Sequence, residues 1–299
     1  MRVVHISDLH FWHITLNPRQ LLGKRLLGMS NLFLNRAWNF RMESMPALVD
    51  RIQGISPDHL LITGDLTSTA LEEEFRAARR ALIPLNPSAP FLSVVPGNHD
   101  RYTRESARSR LFEKYFGEFA PAPVYPWLKR LGEDVGILAL DPTHPNPISA
   151  RGTMTTEQIH KATELLHAAK PRPERLIVAC HYPIALPAGI VEGRGHGLRG
   201  ARELQAFLAR ESPALYCHGH IHASWAFSPQ SLPRTLCLDP GAALKIRNHS
   251  GIRATMLEII LAGKGVEIRR HALRERVWNE DLMLKNKDFF DRGAPLNAN

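Results

Sequence analysis

Short runs of branched apolar residues recur along the first two thirds of the chain, and small or polar residues follow each run. Their length and composition are typical of buried strands. Six such runs lie at residues 3–6, 60–63, 91–95, 135–140, 176–179 and 215–217. Between them, helical spacing of apolar residues occurs in three segments, 71–82, 156–168 and 202–208. Strands that alternate with helices predict a layered α/β fold.

Two of these helices have a start signal. Thr69 stands three residues before Glu72, and Thr155 stands three residues before Gln158. In a capping box, the first residue of such a pair accepts a hydrogen bond from the backbone N–H of the other. We therefore expect the two helices to begin at Thr69 and Thr155.

The pattern changes late in the chain, where strand-like runs follow one another without helices between them. These runs lie at 235–238, 254–260 and 266–271. Antiparallel strands that complete a sheet are the simplest explanation. The polar segment 279–299 is expected to be a partly ordered tail. We expect one domain over 1–278 and a C-terminal tail over 279–299.

Composition narrows the function classes. The 299 residues are 44% hydrophobic and 22% charged, which excludes a disordered chain, a coiled coil and a collagen-like fibre. The net charge of +9 favours an anionic partner, such as a phosphate ester, a nucleic acid or a membrane surface. The three cysteines make no disulfide framework. With a strand at the N-terminus and no apolar run long enough to span a bilayer, a cytoplasmic location is expected.

Five polar motifs stand where the predicted strands end. They are Asp8-Leu9-His10, Gly64-Asp65, Gly97-Asn98-His99-Asp100, Cys180-His181 and His218-Gly219-His220-Ile221-His222. The carboxyl ends of strands in an open α/β sheet converge on one crevice. Any one motif is compatible with a polar turn or a buried histidine, but the ordered series predicts a shared site.

These side chains suit divalent metals. Carboxylates, imidazoles and one amide oxygen favour manganese, iron, zinc or cobalt, whereas an all-oxygen set favours magnesium or calcium. On an extended chain, Asp8 and His10 would point to one side. Two metals need a bridging carboxylate, for which Asp65 is the candidate. Such a pair can clamp the attacking and leaving oxygens of a phosphoryl displacement and activate a water.

The series of motifs resembles the calcineurin-like metallophosphoesterase family, most closely its bacterial phosphodiesterase branch. The resemblance covers roughly residues 2–243 and implies a four-layer α/β/β/α sandwich with a binuclear metal site at strand ends. It implies one metal held by Asp8, His10, Asp65 and His222, and a second held by Asp65, Asn98, His181 and His220. It also implies that His99 contacts the phosphate and protonates the leaving oxygen, and that Asp100 orients His99.

The resemblance implies a metal-dependent phosphoric ester hydrolase, a phosphodiesterase or pyrophosphohydrolase. Its nucleophile would be a hydroxide that bridges two divalent ions, and its substrate a phosphodiester or nucleotide-type small molecule. A nuclease is disfavoured because no basic motif interleaved with aromatic residues is found. A non-catalytic metal-binding scaffold would be expected to lack a ligand or the histidine at 99, and neither is missing.

A basic, apolar segment follows the first ligands. No Asp or Glu occurs from Leu9 to Met42, and six apolar residues recur three and four apart: Leu22, Leu26, Met29, Phe33, Ala37 and Phe40. One interpretation is an interfacial helix or lid over about 17–42, in contact with an amphiphilic substrate or a membrane. The other is a helix packed on the core, whose charges steer anions.

The candidates for substrate or membrane contact here are Phe11, Trp12, Lys24, Arg25, Phe33 and Trp38. The lid interpretation is similar in kind to enzymes that cleave the pyrophosphate of UDP-2,3-diacylglucosamine in lipid A synthesis. It would place the chain peripherally at the inner face of the membrane.

Overall fold

The computed structural model describes residues 1–18, 20–21, 24–31, 39–246, 254–275 and 277–290. Its α-helices are α1 (Lys24–Asn31), α2 (Met45–Ile55), α3 (Glu72–Ala81), α4 (Arg104–Arg108), α5 (Leu111–Phe116), α6 (Thr156–Ala168) and α7 (Ala201–Glu211). Its strands are β1 (Arg2–Ile6), β2 (His59–Ile62), β3 (Leu92–Val94), β4 (Trp127–Arg130), β5 (Val135–Ala139), β6 (Gly152–Thr153), β7 (Arg175–Ala179), β8 (Leu198–Arg199), β9 (Leu215–Cys217), β10 (Ser224–Phe227), β11 (Leu236–Pro240), β12 (Thr255–Ala262), β13 (Gly265–Arg274) and β14 (Val277–Asn286).

Two six-stranded sheets organise the fold. One has the order β14-β13-β12-β1-β2-β3, and the other has the order β10-β11-β9-β7-β5-β4. In the first, β1, β2 and β3 are parallel, while β12, β13 and β14 add antiparallel strands. In the second, β5, β7, β9 and β11 are parallel. The expectation of antiparallel completion is thus confirmed for β12 and β13, but β11 instead runs parallel to β9.

The strands alternate their side chains between two apolar layers. In β1, Val3 packs in the core between the sheets, while Val4 packs against the outer helices. In β7, Ile177 faces the core between the sheets and Val178 faces the opposite layer. Helices α2, α3 and α5 cover the first sheet, and α6 and α7 cover the second. The predicted four-layer α/β/β/α arrangement is confirmed, and its cores are formed by the period of two along each strand.

The two predicted helix starts have different outcomes. Thr155 accepts a hydrogen bond from the Gln158 N–H at 3.2 Å, as expected. The box at Thr69 and Glu72 is wrong, because α3 begins after Leu71. Glu74 takes the capping role, since its buried carboxylate accepts hydrogen bonds from the N–H groups of Thr69 at 2.8 Å and Leu71 at 3.2 Å.

The predicted tail boundary at 279 is also wrong. Strand β14 continues to Asn286 and pairs with β13 at the edge of the first sheet. Its charged side chains form cross-strand ion pairs, such as that of Arg270 with Asp281 at 3.0 Å. Residues 291–299 lie outside the described part of the chain. None of the helices described is long and apolar enough to span a bilayer.

Candidate metal centre

The candidate ligands follow the carboxyl ends of five strands from both sheets. Asp8 and His10 follow β1, Asp65 follows β2, and Asn98 follows β3 in the first sheet. The second sheet supplies His181 after β7, and His220 and His222 after β9. The strand ends therefore bring residues that are more than 200 positions apart to one crevice.

A first group consists of Asp8, His10, Asp65 and His222, whose potential ligand atoms all lie within 4.8 Å of one another. The Nε2 atoms of His10 and His222 are 3.0 Å apart. Asp8 Oδ1 lies 3.2 Å from His222 Nε2. These four residues are the set that the resemblance implied for one metal.

A second group shares a carboxylate with the first. It consists of Asp65, His181 and His220. Asp65 Oδ2 lies 3.7 Å from His10 Nε2 and 3.4 Å from His181 Nε2, so one oxygen faces both groups. His181 Nε2 lies 3.3 Å from His220 Nδ1. Asp65 is therefore common to both groups.

The donors fit divalent cations. Asn98 is 5% exposed, and its Oδ1 atom is buried without a hydrogen-bond partner. An unsatisfied buried acceptor costs about 1–3 kcal/mol, and a cation removes that cost. The ring nitrogens that face each other would also be satisfied by a shared cation. The mixture of nitrogen and oxygen suits manganese, iron, zinc or cobalt.

Electrostatics keep the shared carboxylate ionised. Burial alone would raise the pKa of Asp65, but the neighbouring His181 and His99 rings hold it well below its usual range. Burial lowers the pKa of His220, and the adjacent His181 lowers it further, to about 3. An anionic carboxylate and a neutral imidazole are the protonation states that bind metals. Against the effect of burial, Asp65 raises the pKa of His181 to about 10, so a cation must displace a proton from that ring.

The ligands converge by turns of the backbone, which corrects one expectation. The sequence predicted that Asp8 and His10 share a side of an extended chain. Instead, five ligands have left-handed φ values: 55° at Asp8, 48° at His10, 52° at Asp65, 77° at His220 and 59° at His222. This conformation costs a non-glycine residue about 1–2 kcal/mol. Such strain is characteristic of functional sites.

His99 lies against the first group. Its ring centroid is 5.0 Å from that of His10. Its backbone N–H donates to Asp65 Oδ1 at 2.8 Å, and its Nδ1 is 2.6 Å from the Ser68 carbonyl oxygen. Because a carbonyl can only accept, Nδ1 carries a proton.

Asp100, which the resemblance implied would orient His99, binds the backbone of two neighbouring loops. The Asp100 carboxylate accepts hydrogen bonds from the N–H groups of Gly97 at 2.9 Å and Thr67 at 3.0 Å. It therefore fixes the two loops that carry His99 and Ser68. The Ser68 carbonyl, and not Asp100, lies beside Nδ1 of His99.

Position 97 requires glycine because there is no room for a side chain. A Cβ atom at this position would overlap Asp65 Oδ1 and lie 2.7 Å from Asp65 Cγ. No side chain fits there while the shared carboxylate keeps its place.

Two of the proposed substrate or membrane contacts are wrong because their side chains are buried. Phe11 is 3% exposed and belongs to the outer core of the first sheet. Arg25 is 4% exposed and donates to the Thr69 and Ala70 carbonyls and to Glu105. Trp12 is half-buried and donates to the Phe40 carbonyl.

The remaining candidates of this segment have separate outcomes. Lys24 is half-buried and donates to the Ser149 carbonyl at 2.9 Å. Phe33 and Trp38 lie outside the described residues. Phe40, from the predicted apolar stripe, is buried with its ring 4.7 Å from that of His10. The segment therefore packs against the first group at its C-terminal end.

Three residues near the site were missed. Tyr102 stacks on His99, with centroids 5.2 Å apart and planes 15° apart. The His196 carbonyl lies 3.2 Å from His220 Nε2, and Glu192 lies 4.0 Å from the same atom. Only Tyr102 had a possible signal, an aromatic residue three positions after His99. The other two come from a loop without a recognisable pattern.

One further group of potential ligands lies outside the crevice. Glu258, His271 and Glu280 cluster on the outer face of the first sheet. Arg51 and Glu258 occupy the two ring nitrogens of His271, at 2.7 and 2.9 Å. These contacts identify the group as an ion-pair network.

Comparison with known proteins agrees with this geometry. The structure is similar to a dimetal phosphatase from Danio rerio, with TM-score 0.62 and 14% identity over 95% of this chain and 98% of that one. It is similar to purple acid phosphatase PPD1 from yellow lupin, with TM-score 0.59 and 14% identity over 91% of this chain and 51% of that one. It is also similar to GAP50, the anchor in the inner membrane complex of Plasmodium, with TM-score 0.53 and 12% identity over 96% and 90% of the two chains. At these identities the likeness shows the fold.

Sequence comparison identifies the family. No curated protein matches the chain. The family model described as calcineurin-like phosphoesterase matches residues 1–224, which include every candidate metal ligand. The chain therefore belongs to the calcineurin-like phosphoesterase family, and its activity is the metal-dependent hydrolysis of phosphoesters.

Proposed function

We propose that the protein is a phosphodiesterase with two divalent cations, held by Asp8, His10, Asp65 and His222 and by Asp65, Asn98, His181 and His220. The observation that carries the proposal is the single Asp65 oxygen that faces both ligand groups, with His99 beside them. When bound, the cations would polarise the phosphate and activate a water as the nucleophile.

His99 is suited to protonate the leaving oxygen. The Ser68 carbonyl holds the proton on Nδ1, so the cationic ring would release its second proton from Nε2. General acids of this kind contribute about 10²–10⁴-fold to the rate. Asp65 ties this acid to the ligand groups, since its other oxygen accepts the His99 N–H.

The cationic side chains around His99 favour a diester over a monoester. Arg101 is paired with Glu113 at 2.6 Å and with Asp141 at 3.2 Å, and Arg25 is paired with Glu105 at 3.0 Å. These two guanidinium groups are engaged with carboxylates. A diester carries one negative charge, whereas a monoester dianion places greater demands on nearby cations.

The test compares a diester and a monoester that release the same leaving group. The manganese-loaded protein should hydrolyse bis(p-nitrophenyl) phosphate with a kcat/KM at least about tenfold above that of p-nitrophenyl phosphate. Metal analysis should give two ions per chain, and Asp65→Asn should lose both. A preference for the monoester, or one ion per chain with full activity, would refute the proposal.

A second candidate function is cleavage of a lipid-linked pyrophosphate at a membrane surface. Three large apolar side chains are exposed in segments that border the site: Leu26 at 56%, Ile148 at 91% and Val191 at 90%. Ile148 precedes Ser149, which binds Lys24, and Val191 precedes Glu192, which approaches His220. We call these three side chains the apolar rim, and they are the contacts that this second candidate assigns to acyl chains beside a phosphate.

Acylation of the substrate separates the two candidates. If the rim contacts lipid, a diacylated UDP-sugar should be cleaved far better than the same sugar nucleotide without acyl chains. Changing Leu26, Ile148 and Val191 together to Glu should remove both that preference and binding to anionic liposomes. Leu282→Glu is the matched control, because Leu282 is 60% exposed on β14. Equal cleavage of both substrates would exclude the lipid function.

A further inference from the structure

The ring of His99 has two supports, one at its edge and one at its face. At the edge, the Ser68 carbonyl lies 2.6 Å from Nδ1. At the face, Tyr102 stacks almost parallel to the ring. Tyr102 is 8% exposed, so its own position is set by packing. Together the supports restrain the direction of Nε2.

Helix α1 contacts the chain segments that carry the two supports. The Arg25 guanidinium, which is buried, donates to the carbonyls of Thr69 at 3.1 Å and Ala70 at 3.0 Å. These carbonyls follow Ser68 directly in the chain. The same guanidinium lies 3.4 Å from Thr103 Oγ1, beside Tyr102. Arg25 thus joins the segment that holds the edge of His99 to the segment that holds its face.

Gly28 provides the second contact. It faces the Tyr102 ring so closely that a Cβ atom would lie 2.7 Å from the phenol oxygen and 3.0 Å from Cε1. Lys24, one turn earlier in α1, places its Nζ 4.5 Å from the centre of the same ring. Tyr102 is therefore enclosed between α1 and His99, and a larger residue at 28 would push it toward the acid.

We propose that α1 is a buttress for the general acid, in which Arg25 and Gly28 fix the Ser68 carbonyl and the Tyr102 ring that aim His99 at the leaving oxygen. The proposal rests on the role of His99 given above. It assigns a function to the basic segment that requires no membrane contact. Tyr102 is a positioning residue, since it acts on the substrate only through His99.

The choice of leaving group distinguishes a misplaced His99 from a general loss of structure. A p-nitrophenolate leaves with little help from an acid, whereas a phenolate needs a proton. Tyr102→Leu should lower kcat/KM about 10- to 100-fold more for diphenyl phosphate than for bis(p-nitrophenyl) phosphate. Tyr102→Phe keeps the ring and should retain the wild-type ratio. His99→Ala sets the limit of the effect.

Gly28→Ala tests the buttress from the side of the helix. It should lower the diphenyl phosphate rate selectively, and Gly28→Ala with Tyr102→Phe should recover part of the loss, because the 2.7 Å contact with the phenol oxygen is removed while the 3.0 Å contact with Cε1 remains. Gly54→Ala is the matched control, since Gly54 is also inside a helix and its Cβ would meet nothing within 4 Å. Failure of the double variant to recover would overturn the steric contact.

A second readout needs no metal and no turnover. In the metal-free protein, the ring protons of His99, assigned by comparison with His99→Gln, should be shifted upfield by the stacked Tyr102 ring. The shift should be lost in Tyr102→Leu, altered in Gly28→Ala and kept in Tyr102→Phe and Gly54→Ala. If His99→Ala lowers kcat/KM equally for diphenyl phosphate and bis(p-nitrophenyl) phosphate, the acid role itself fails. If His99→Ala lowers kcat/KM more for diphenyl phosphate, but Tyr102→Leu and Gly28→Ala match wild type in the ratio of the two kcat/KM values and in the ring shift, the buttress alone is refuted.

Discussion

Gly97→Ala should disable the shared carboxylate while leaving the fold in place. The added Cβ would lie 2.7 Å from Asp65 Cγ. Carbon atoms that are not bonded pack at about 3.5–4.0 Å, so Asp65 or the loop at 97 must move by about 1 Å. The two hydrogen bonds that hold this region, from His99 N to Asp65 and from Gly97 N to Asp100, would be strained by that movement.

The size of the effect follows from the position of Asp65. A displacement of about 1 Å at a reacting centre costs about 10²-fold in rate, and overpacking costs about 1–3 kcal/mol in stability. Because one oxygen of Asp65 faces both ligand groups, the loss should include metal binding at both. We therefore expect at least about a 10²-fold lower kcat/KM for bis(p-nitrophenyl) phosphate and fewer than two ions per chain.

Gly117→Ala is the control for Gly97→Ala. Both substitutions stiffen the unfolded chain equally, but a Cβ at Gly117 would meet only Glu113 Cβ, at an ordinary 3.5 Å. Metal content by mass spectrometry, initial rates and urea unfolding should be measured on both. A Gly97→Ala protein with wild-type metal content and turnover would show that Asp65 is not confined as we describe.

Three further predictions concern stability. Burial, with a smaller contribution from Lys129, lowers the pKa of His59 from 6.5 to about 4; its neutral ring therefore contributes about 3 kcal/mol that is complete above about pH 6.5 and lost as the pH falls through about 4. His59→Asn should flatten the pH dependence of urea unfolding in that window, and an unchanged slope would contradict the prediction. Chelation should lower Tm, and manganese at 100 times its Kd should restore it, because binding adds about 2.7 kcal/mol to the free energy of unfolding. A manganese response that survives in Asp65→Asn would contradict the shared site. Arg25→Met should destabilise by about 3 kcal/mol because it leaves the buried Thr69 and Ala70 carbonyls without their donor, whereas Glu105→Gln should cost under about 1 kcal/mol, since the Glu105 side chain is 72% exposed; equal losses in thermal unfolding would refute the difference.

The candidate ligands could be picked out from the sequence because each stands at a chemically distinct point. Asp65 and His181 follow buried strands, where an ionisable residue is uncommon unless it is paired or bound. The alternation of β1 and β7 follows from the period of two, which is local. Both kinds of signal can be seen without knowing the partner strands.

The errors have one physical origin, which is that contacts distant in sequence decide burial. Phe11 was expected at the site mouth, but it packs in the outer core of the first sheet. Arg25 belonged to a basic stretch with no visible acidic partner, because Glu105 lies 80 residues away. Residues 279–286 were expected to belong to a tail because most of them are polar, whereas the carboxylates of Glu280 and Asp281 pair with arginines of β13.

The direction of the chain at the ligands could not be predicted for a different reason. An Asp or His in the left-handed conformation is locally unfavourable by about 1–2 kcal/mol, so the local sequence does not predict this backbone conformation. Five such residues take a sizeable part of the 5–15 kcal/mol that stabilises a typical domain. The two packed sheets impose this geometry, since they hold the residues on either side of each turn. The same reasoning applies to His99, which is aimed by the Ser68 carbonyl and Tyr102 rather than by its own backbone. The chemistry of this centre is therefore specified by short motifs, but its geometry is specified by the layers and by α1.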